Sequence, residues 1–165
     1  MPGRIASVRI LPFVRKDLPA LQRLADQALG AGYVEGARFT ADTVIVARTR
    51  GRLVGFVHFE PAEGGWSLRT LVVEPALRKR GLGSALARMA LARYPDARWI
   101  SPAWIDRNRI AADPMLRALG FAPQRRVPDY WLADSLERGY ACPCCGNPCR
   151  CAAMVYALQK QEGKP

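Results

Sequence analysis

The sequence predicts a mixed α/β fold, in which one mixed sheet carries helices on both faces. Three observations predict it. Segments that alternate apolar and polar residues are interleaved with segments whose apolar residues recur at helical spacing. Half of the 165 residues are hydrophobic, enough for one sizeable core, so a single domain over residues 1–165 is expected. The elements run β-α-(α)-β-β-β-α-β-α-β-β, and such stripes bury one another best in layers of sheet and helix.

Val8 to Phe13 alternates and reads as the first strand. Asp17-Leu18-Pro19 starts a helix in which Leu18, Leu21, Leu24, Ala25 and Ala28 share a face, and Gly30 and Gly32 end it. Tyr33 to Ala41 is weakly patterned, a short helix or a loop. Thr43 to Arg48 and Leu53 to Phe59 read as a hairpin turning at Arg50-Gly51. Pro61 to Gly65 reads as a loop, and Trp66 to Val73 as a strand closed by Glu74-Pro75. The next helix carries Leu82, Ala85, Leu86, Met89 and Ala90 on one face. Ala97 to Ser101 is a short strand. Asn108 to Leu119 has a helical pattern ending at Gly120, with Pro114 either opening a short helix behind Asp113 or kinking a longer one. Gln124 to Val127 and Ala152 to Leu158 are the last strands, and between them runs a long excursion holding every cysteine. No internal repeat or low-complexity tract is present.

The formal net charge is +11, mostly from arginines dispersed along the chain. That suits an ordinary basic surface or attraction for polyanions. Aromatic residues do not interleave with the basic ones as a single-strand platform requires, so nucleic acid is not an expected partner. No apolar run nears the roughly 20 residues of a membrane span, and Met1 to Phe13 lacks the apolar stretch of a signal peptide. No membrane association is expected, and the cytoplasm is the expected compartment.

The strand–loop–helix from Leu68 to Arg93 is the most informative segment. A helix N-terminus offers unpaired N–H groups and a positive dipole end, a ready site for an anion. Gly81 and Gly83 let a phosphate approach the backbone, and Arg78, Lys79 and Arg80 add charge at the rim. A diphosphate is the guest this chemistry suits. The spacing does not fit the dinucleotide fingerprint, and a G-x-x-x-x-G-K-[ST] loop is absent.

The run Leu71-Val72-Val73-Glu74-Pro75-Ala76-Leu77-Arg78-Lys79-Arg80-Gly81-Leu82-Gly83-Ser84-Ala85-Leu86 resembles the acetyl-CoA motif of the GNAT acetyltransferase superfamily: an apolar strand, V-x-P, then R/Q-x-x-G-x-G/A opening a helix. Asn108, an apolar helix and Gly120-Phe121 resemble that family's next motif. The resemblance covers about residues 5–131 and 152–159. It implies a mixed, mostly antiparallel sheet flanked by helices, and an enzyme that moves an acetyl group from acetyl-CoA to a primary amine of a small molecule or peptide by direct attack. It further implies that backbone amides of Arg78, Lys79, Arg80, Gly81, Leu82, Gly83 and Ser84 bind the CoA diphosphate. Backbone groups of Leu71, Val72 and Val73 would run beside the pantetheine, and Asn108 would flank the thiol end. Catalysis of this kind is largely positioning and proton removal.

The chain departs from the family where an acid or base is usual. Ser101 stands where relatives that acetylate protein N-termini often carry a glutamate, and Leu116 where they often carry a tyrosine. Tyr130, in Pro128-Asp129-Tyr130-Trp131, and Asp106 are the substitutes expected to handle protons. Glu74 and His58, the only histidine, are weaker candidates. A protein that keeps the acetyl-CoA loop, has little catalysis and docks a partner is the alternative reading.

Cys142-Pro143-Cys144-Cys145-Gly146-Asn147-Pro148-Cys149-Arg150-Cys151 is the second strong signal. An odd number of clustered cysteines argues against a disulfide framework. The C-P-x-C-G knuckle aims two thiolates at one point, and C-x-C follows. Cys142, Cys145, Cys149 and Cys151 are thus the expected tetrahedral ligands of a structural Zn²⁺, with Cys144 left over. All four positions would be filled, so this metal would staple the insertion at about 139–151 and would not activate water. A redox dithiol is the lesser reading.

Overall fold

The computed structural model describes residues 7–159, so the ends of the expected 1–165 domain, residues 1–6 and 160–165, lie outside it. The elements are β1 (Val8–Pro12), α1 (Leu18–Leu29), β2 (Val44–Thr49), β3 (Arg52–Ala62), β4 (Gly65–Val73), α2 (Leu82–Leu91), β5 (Trp99–Trp104), α3 (Asp113–Ala118), β6 (Phe121–Val127), α4 (Leu132–Arg138) and β7 (Ala153–Leu158). The strands form one seven-stranded sheet in the order β1-β2-β3-β4-β5-β7-β6. Only β4 and β5 pair in parallel; every other ladder is antiparallel. No helix among the described residues is long and apolar enough to cross a membrane.

Both faces of the sheet are covered, which explains the unbroken burial of Val44 to Ala47 in β2. Ile45, Ala47 and Val57 point into the core under α2 and α3, with Leu86, Ala90 and Leu116. Val44, Val46 and Phe56 point into the core under α1, with Leu21 and Ala25. Met89, expected on the buried stripe of α2, is 46% exposed instead, because the stripe centres on Leu86, Ala87 and Ala90.

Three expected boundaries are corrected. Pro61 is not in a loop: β3 continues to Ala62, and Ala62 pairs with Gly65. The β2 ladder on β3 stops at His58, so Pro61 has a strand on one side only, an edge position that tolerates a missing N–H. Residues 108–112 are not helical. Asn108 has φ 65° inside a turn closed by Asp106 and Arg109, and α3 starts at Asp113 with Pro114 in its first turn, where an absent donor costs nothing. The excursion before β7 begins with a helix, α4, ended by Gly139 at φ 75°.

The strand pairing that matters most is incomplete. β4 and β5 are matched only at Trp66–Trp99 and Ser67–Ile100, after which they part. Pro102 makes the parting permanent. Ile105 N–H donates to Ala152 on the β7 side, and N–H directions alternate along a strand, so residue 102 faces β4 with no proton to offer. Just past the paired end, the Ser101 hydroxyl donates to the Leu68 carbonyl at 3.1 Å. Aromatic rings clamp that closed end: Trp66 stacks on Tyr94 with centroids 3.9 Å apart, and buried Trp99 lies 6.0 Å from both Phe59 and Trp66.

Candidate functional site

β4 leads out of the parted sheet into a loop that doubles back onto α2. Pro75 to Leu77 make one tight helical turn, and Arg78 Nε then donates to the Val73 carbonyl at 2.9 Å, folding the loop against the strand end. Gly81, with φ 82°, precedes α2 in the left-handed region that a side chain resists. The first helical bond runs from Ala85 N–H to the Gly81 carbonyl, so the amides of Leu82, Gly83 and Ser84 have no acceptor in their own helix. Arg78, Lys79, Arg80 and Gly81 are exposed, and a Cβ built on Gly81 would meet nothing within 4 Å. Side chains do not fill this turn; it is an open ring of amides with a basic rim. Gly83 differs: a Cβ there would lie 3.3 Å from Leu71 Cδ2 and 3.5 Å from Met115 Sδ. Its missing side chain lets α2 approach both β4 and α3. The N-terminus of α3 is held in turn by the Tyr156 hydroxyl, which donates to Asp113 Oδ1.

The other face of β4 carries a cleft of about 500 Å³. Its floor depends on a bulge. His58 pairs with Thr70 but Phe59 pairs with Leu68, so Arg69 is an extra residue on β4. Leu68 and Leu71 therefore share the α2 face, three positions apart, while Arg69 and Thr70 both line the cleft. Arg69 Nε lies 3.5 Å from Glu60 Oε1, and His58 Nε2 lies 3.9 Å from Glu60 Oε2. Tyr33, Glu35, Phe39 and Thr43 from the α1–β2 connection form one wall, and Asp134, Glu137 and Arg138 of α4 form the other.

Arg138 ties the two walls together. Its Nη2 donates to the Gly32 and Tyr33 carbonyls at 2.8 and 2.6 Å. Its Nε meets Glu35 at 2.8 Å, and its Nη1 donates to Asp134 at 3.1 Å. Asp134 also accepts from the Tyr140 hydroxyl at 2.7 Å, and Trp131 Nε1 donates to the Tyr33 hydroxyl at 3.2 Å. The cysteine loop pins α4 from behind. Asn147 Nδ2 donates to the Ser135 and Tyr140 carbonyls, and the Cys149 amide donates to Ser135 Oγ at 2.8 Å.

The sulfurs of Cys142, Cys145, Cys149 and Cys151 all lie within 4.8 Å of one another. Three of their separations are 3.5, 3.7 and 3.8 Å. Four thiolates about 2.3 Å from one tetrahedral zinc sit roughly 3.8 Å apart, so the set fits that ion. The surroundings suit thiolates as well. Amides of Cys144 and Arg150 donate to the sulfurs of Cys142 and Cys145 at 3.4 and 3.2 Å. Buried Trp104 Nε1 has no nitrogen or oxygen acceptor and faces the Cys151 sulfur. Cys144 is not one of the four converging sulfurs; its thiol lies between the Asp106 carboxylate and Cys151.

The expected site residues divide by location. Lys79 to Ser84 form the amide ring, the Arg78 amide being spent on the Pro75 carbonyl at 3.3 Å, and Leu71, Val72 and Val73 lead into it from the parted edge of β4. Ser101 is spent on Leu68, and Leu116 is buried in the core. Asp106 sits in the turn after β5, beside Arg107 and Cys144. Asn108 is exposed in the same turn. Tyr130 packs against the cysteine lobe, in the same apolar cluster as Tyr33 of the cleft wall. Its ring is 4.7 Å from Trp131, and its amide donates to the Cys151 carbonyl. Glu74 is held by Arg52 at 2.6 Å. Sequence reasoning missed Tyr33, Arg69, Arg138 and all of α4. The one available signal was in β4, where Leu68 and Leu71 break the alternation expected of a regular strand.

His58 is 16% exposed at its side chain, and burial, with Arg69 second, pushes its pKa down to about 4. The imidazole is therefore neutral in the fold while the unfolded chain protonates near 6.5. Unfolded chains bind the extra proton between those values, so stability is full above about pH 6.5 and falls as the pH drops towards 4. His58→Gln is expected to remove a pH-dependent loss on the order of 3 kcal/mol, read as a flatter urea-unfolding profile between those limits.

Comparison with known proteins agrees with this geometry. The profile of the Acetyltransferase (GNAT) domain family matches residues 40–123. Mycothiol acetyltransferase of Mycolicibacterium smegmatis is 43% identical over 78 residues, which cover 46% of this chain and 25% of that protein. The match thus spans a quarter of that relative's length. The ribosomal-protein-S18-alanine N-acetyltransferase of Escherichia coli superposes with a TM-score of 0.67 at 18% identity, over 96% of this chain and 99% of that one. Arabidopsis thaliana Naa50, solved with the bisubstrate analogue CoA-Ac-MVNAL, superposes with a TM-score of 0.67 at 18% identity, over 93% of this chain and 99% of that one. At those identities the structural likeness is one of fold.

Proposed function

Because the chain belongs to the GNAT acetyltransferase family, we propose that it moves an acetyl group from acetyl-CoA to a primary amine by direct attack. The single observation that carries this reading is the open amide ring at the start of α2, set beside a sheet parted at β4 and β5, with a cleft on the opposite face. Arg78, Lys79, Arg80, Gly81, Leu82, Gly83 and Ser84 hold the diphosphate. Leu71, Val72 and Val73 line the pantetheine with backbone groups that lost their β5 partner, and Asn108 flanks the thiol end. Acetyl-CoA supplies an activated carbonyl; the chain supplies alignment, which is worth several kcal/mol of barrier when the reacting groups are held in place. The amine enters from the cleft over Arg69 and Thr70. Tyr130 rather than Asp106 handles the proton, and its support is position: Tyr130 shares a cluster with Tyr33 of the cleft wall, whereas Asp106 sits in the turn after β5 beside Arg107.

Cys142, Cys145, Cys149 and Cys151 hold one Zn²⁺, which supplies four bonds that close the loop and leaves no position for water. A thiolate site of this kind suits a reducing compartment such as the cytoplasm. Its role is to fix α4, and through Arg138 the far wall of the cleft.

Native mass spectrometry of the purified protein, with a thiol-release assay over a panel of amines, tests the reading. A mass gain of one CoA and one zinc together with amine-dependent thiol release is expected. CoA binding with no release for any amine would leave a binding module in place of an enzyme.

A further inference from the structure

The cleft's hydrogen-bonding groups are unequally used, and the inequality bears on what the acceptor looks like. Among its cations Arg138 is saturated by two carbonyls and two carboxylates. Arg38 is 85% exposed and meets Glu35 at 3.4 Å on the rim. Arg69 is different. Its side chain is 31% exposed, one carboxylate meets it, at 3.5 Å from Nε, and Nη1 and Nη2 make no protein hydrogen bond among the described residues. A guanidinium that lines a cleft with its Nη donors open to solvent is available to a ligand. The carboxylates are in the opposite condition. Asp134 accepts from Arg138 and Tyr140, Glu35 is met by Arg138 and Arg38, and Glu60 lies beside Arg69 and His58. Glu137 is exposed on the rim. The Tyr33 oxygen accepts from Trp131, which leaves its own proton free to donate. The inner cleft thus offers free donors at Arg69 and at the Tyr33 hydroxyl, while Asp134 and Glu35 are already engaged.

The bulge gives the same indication independently. In a regular strand only one of residues 69 and 70 could face the cleft, because Leu68 and Leu71 would then point to opposite faces. The inserted residue brings Arg69 and Thr70 to the cleft together. Bulges re-aim side chains at functional sites in this way.

We propose that the acceptor is an amino-acid-like amine whose carboxylate is bound by Arg69. The assignment rests on the acetyl-transfer reading for the amine and on Arg69 for the carboxylate. A guanidinium presents two parallel N–H groups to a carboxylate, a match an ammonium cannot make. A cleft of about 500 Å³ suits a small molecule of this kind.

The test uses the full chain and a set of α-, β- and ω-amino acids, each paired with its carboxamide. Thiol release from acetyl-CoA should favour the carboxylate member of at least one pair by about 10- to 100-fold in kcat/KM, the range for losing a charged hydrogen-bonded partner. Arg69→Gln should erase that preference through KM while acetyl-CoA affinity and melting temperature hold, and Arg69→Lys should restore part of it. A second arm titrates the matching N-acetylated amino acids and their amides by calorimetry, without turnover. Equal use and equal binding of acids and amides by the wild type would overturn the proposal, as would a preference that survives in Arg69→Gln. Carboxylate-selective binding with no thiol release for any amine would retain the Arg69 site and retire the acetyl-transfer reading.

Discussion

Cys149→Ser is expected to abolish the proposed zinc binding and raise the KM for the amine at least about 10-fold, while acetyl-CoA affinity stays within about 2-fold. Cys149 is 2% exposed, so a serine there cannot recruit a water as a substitute ligand without opening the lobe. Zinc held by thiolates contributes on the order of 10 kcal/mol to folding of small metal domains, so a broken set gives up much of the order around it. What loosens is specific. The Cys149 amide is bonded to Ser135, and Asn147 caps two further carbonyls of the α4 region. Without them α4 loses its backing, and Arg138 loses the position from which it grips Gly32, Tyr33 and Glu35. The amide ring at α2 has no part in this lobe, which is why the two substrates respond differently. Metal content by native mass spectrometry, KM for each substrate, and the fluorescence of Trp104 and Trp131 beside the cysteines check it. An unaltered amine KM in a zinc-free variant would show that the lobe is not coupled to the cleft.

Gly83→Val is expected to weaken acetyl-CoA binding by about 100-fold, equivalent to about 2.7 kcal/mol. A Cβ alone would stand 3.3 Å from Leu71 and 3.5 Å from Met115, and two further methyl groups have nowhere to go. Overpacking at such a junction costs roughly 1–3 kcal/mol and is relieved by backbone shifts. Here the shift moves the first turn of α2, whose amides form the site. Gly81→Ala is the informative contrast. Its Cβ meets nothing, so its penalty is the left-handed φ of 82°, about 1–2 kcal/mol of stability. Calorimetric titration with CoA and urea unfolding of both variants separate a distorted site from a strained turn.

Most of the sheet was legible in the sequence because its strands are either alternating or continuously apolar. The Arg50-Gly51 hairpin, β4 and the glycine turn into α2 fall within a residue or two of expectation. The convergence of the Cys142, Cys145, Cys149 and Cys151 sulfurs was legible from spacing, since C-P-x-C-G and C-x-C leave few ways to aim four sulfurs. What was not legible has physical causes. A bulge inserts one residue without changing composition, so the broken alternation between Leu68 and Leu71 was the one mark that Arg69 and Thr70 share a face. Helix α4 is only seven residues long and exposes Leu136, so it has no apolar stripe to detect. The apolar pattern of residues 108–112 fits a helix, but Asn108 adopts a left-handed turn that Asn tolerates better than most residues. Arg138 and Tyr33 are 105 residues apart, and no local pattern reports such a partnership.

That separation bears on how the molecule matures. The glycine turn and the strands beneath it are complete within the first 91 residues of the chain. The second wall of the cleft closes only when segments about a hundred positions apart meet, a loop closure that costs entropy before any contact repays it. The turn before α2 is held by local bonds, such as Ala85 to Gly81 and Arg78 to Val73, whereas the second wall waits on contacts across 105 and 106 positions.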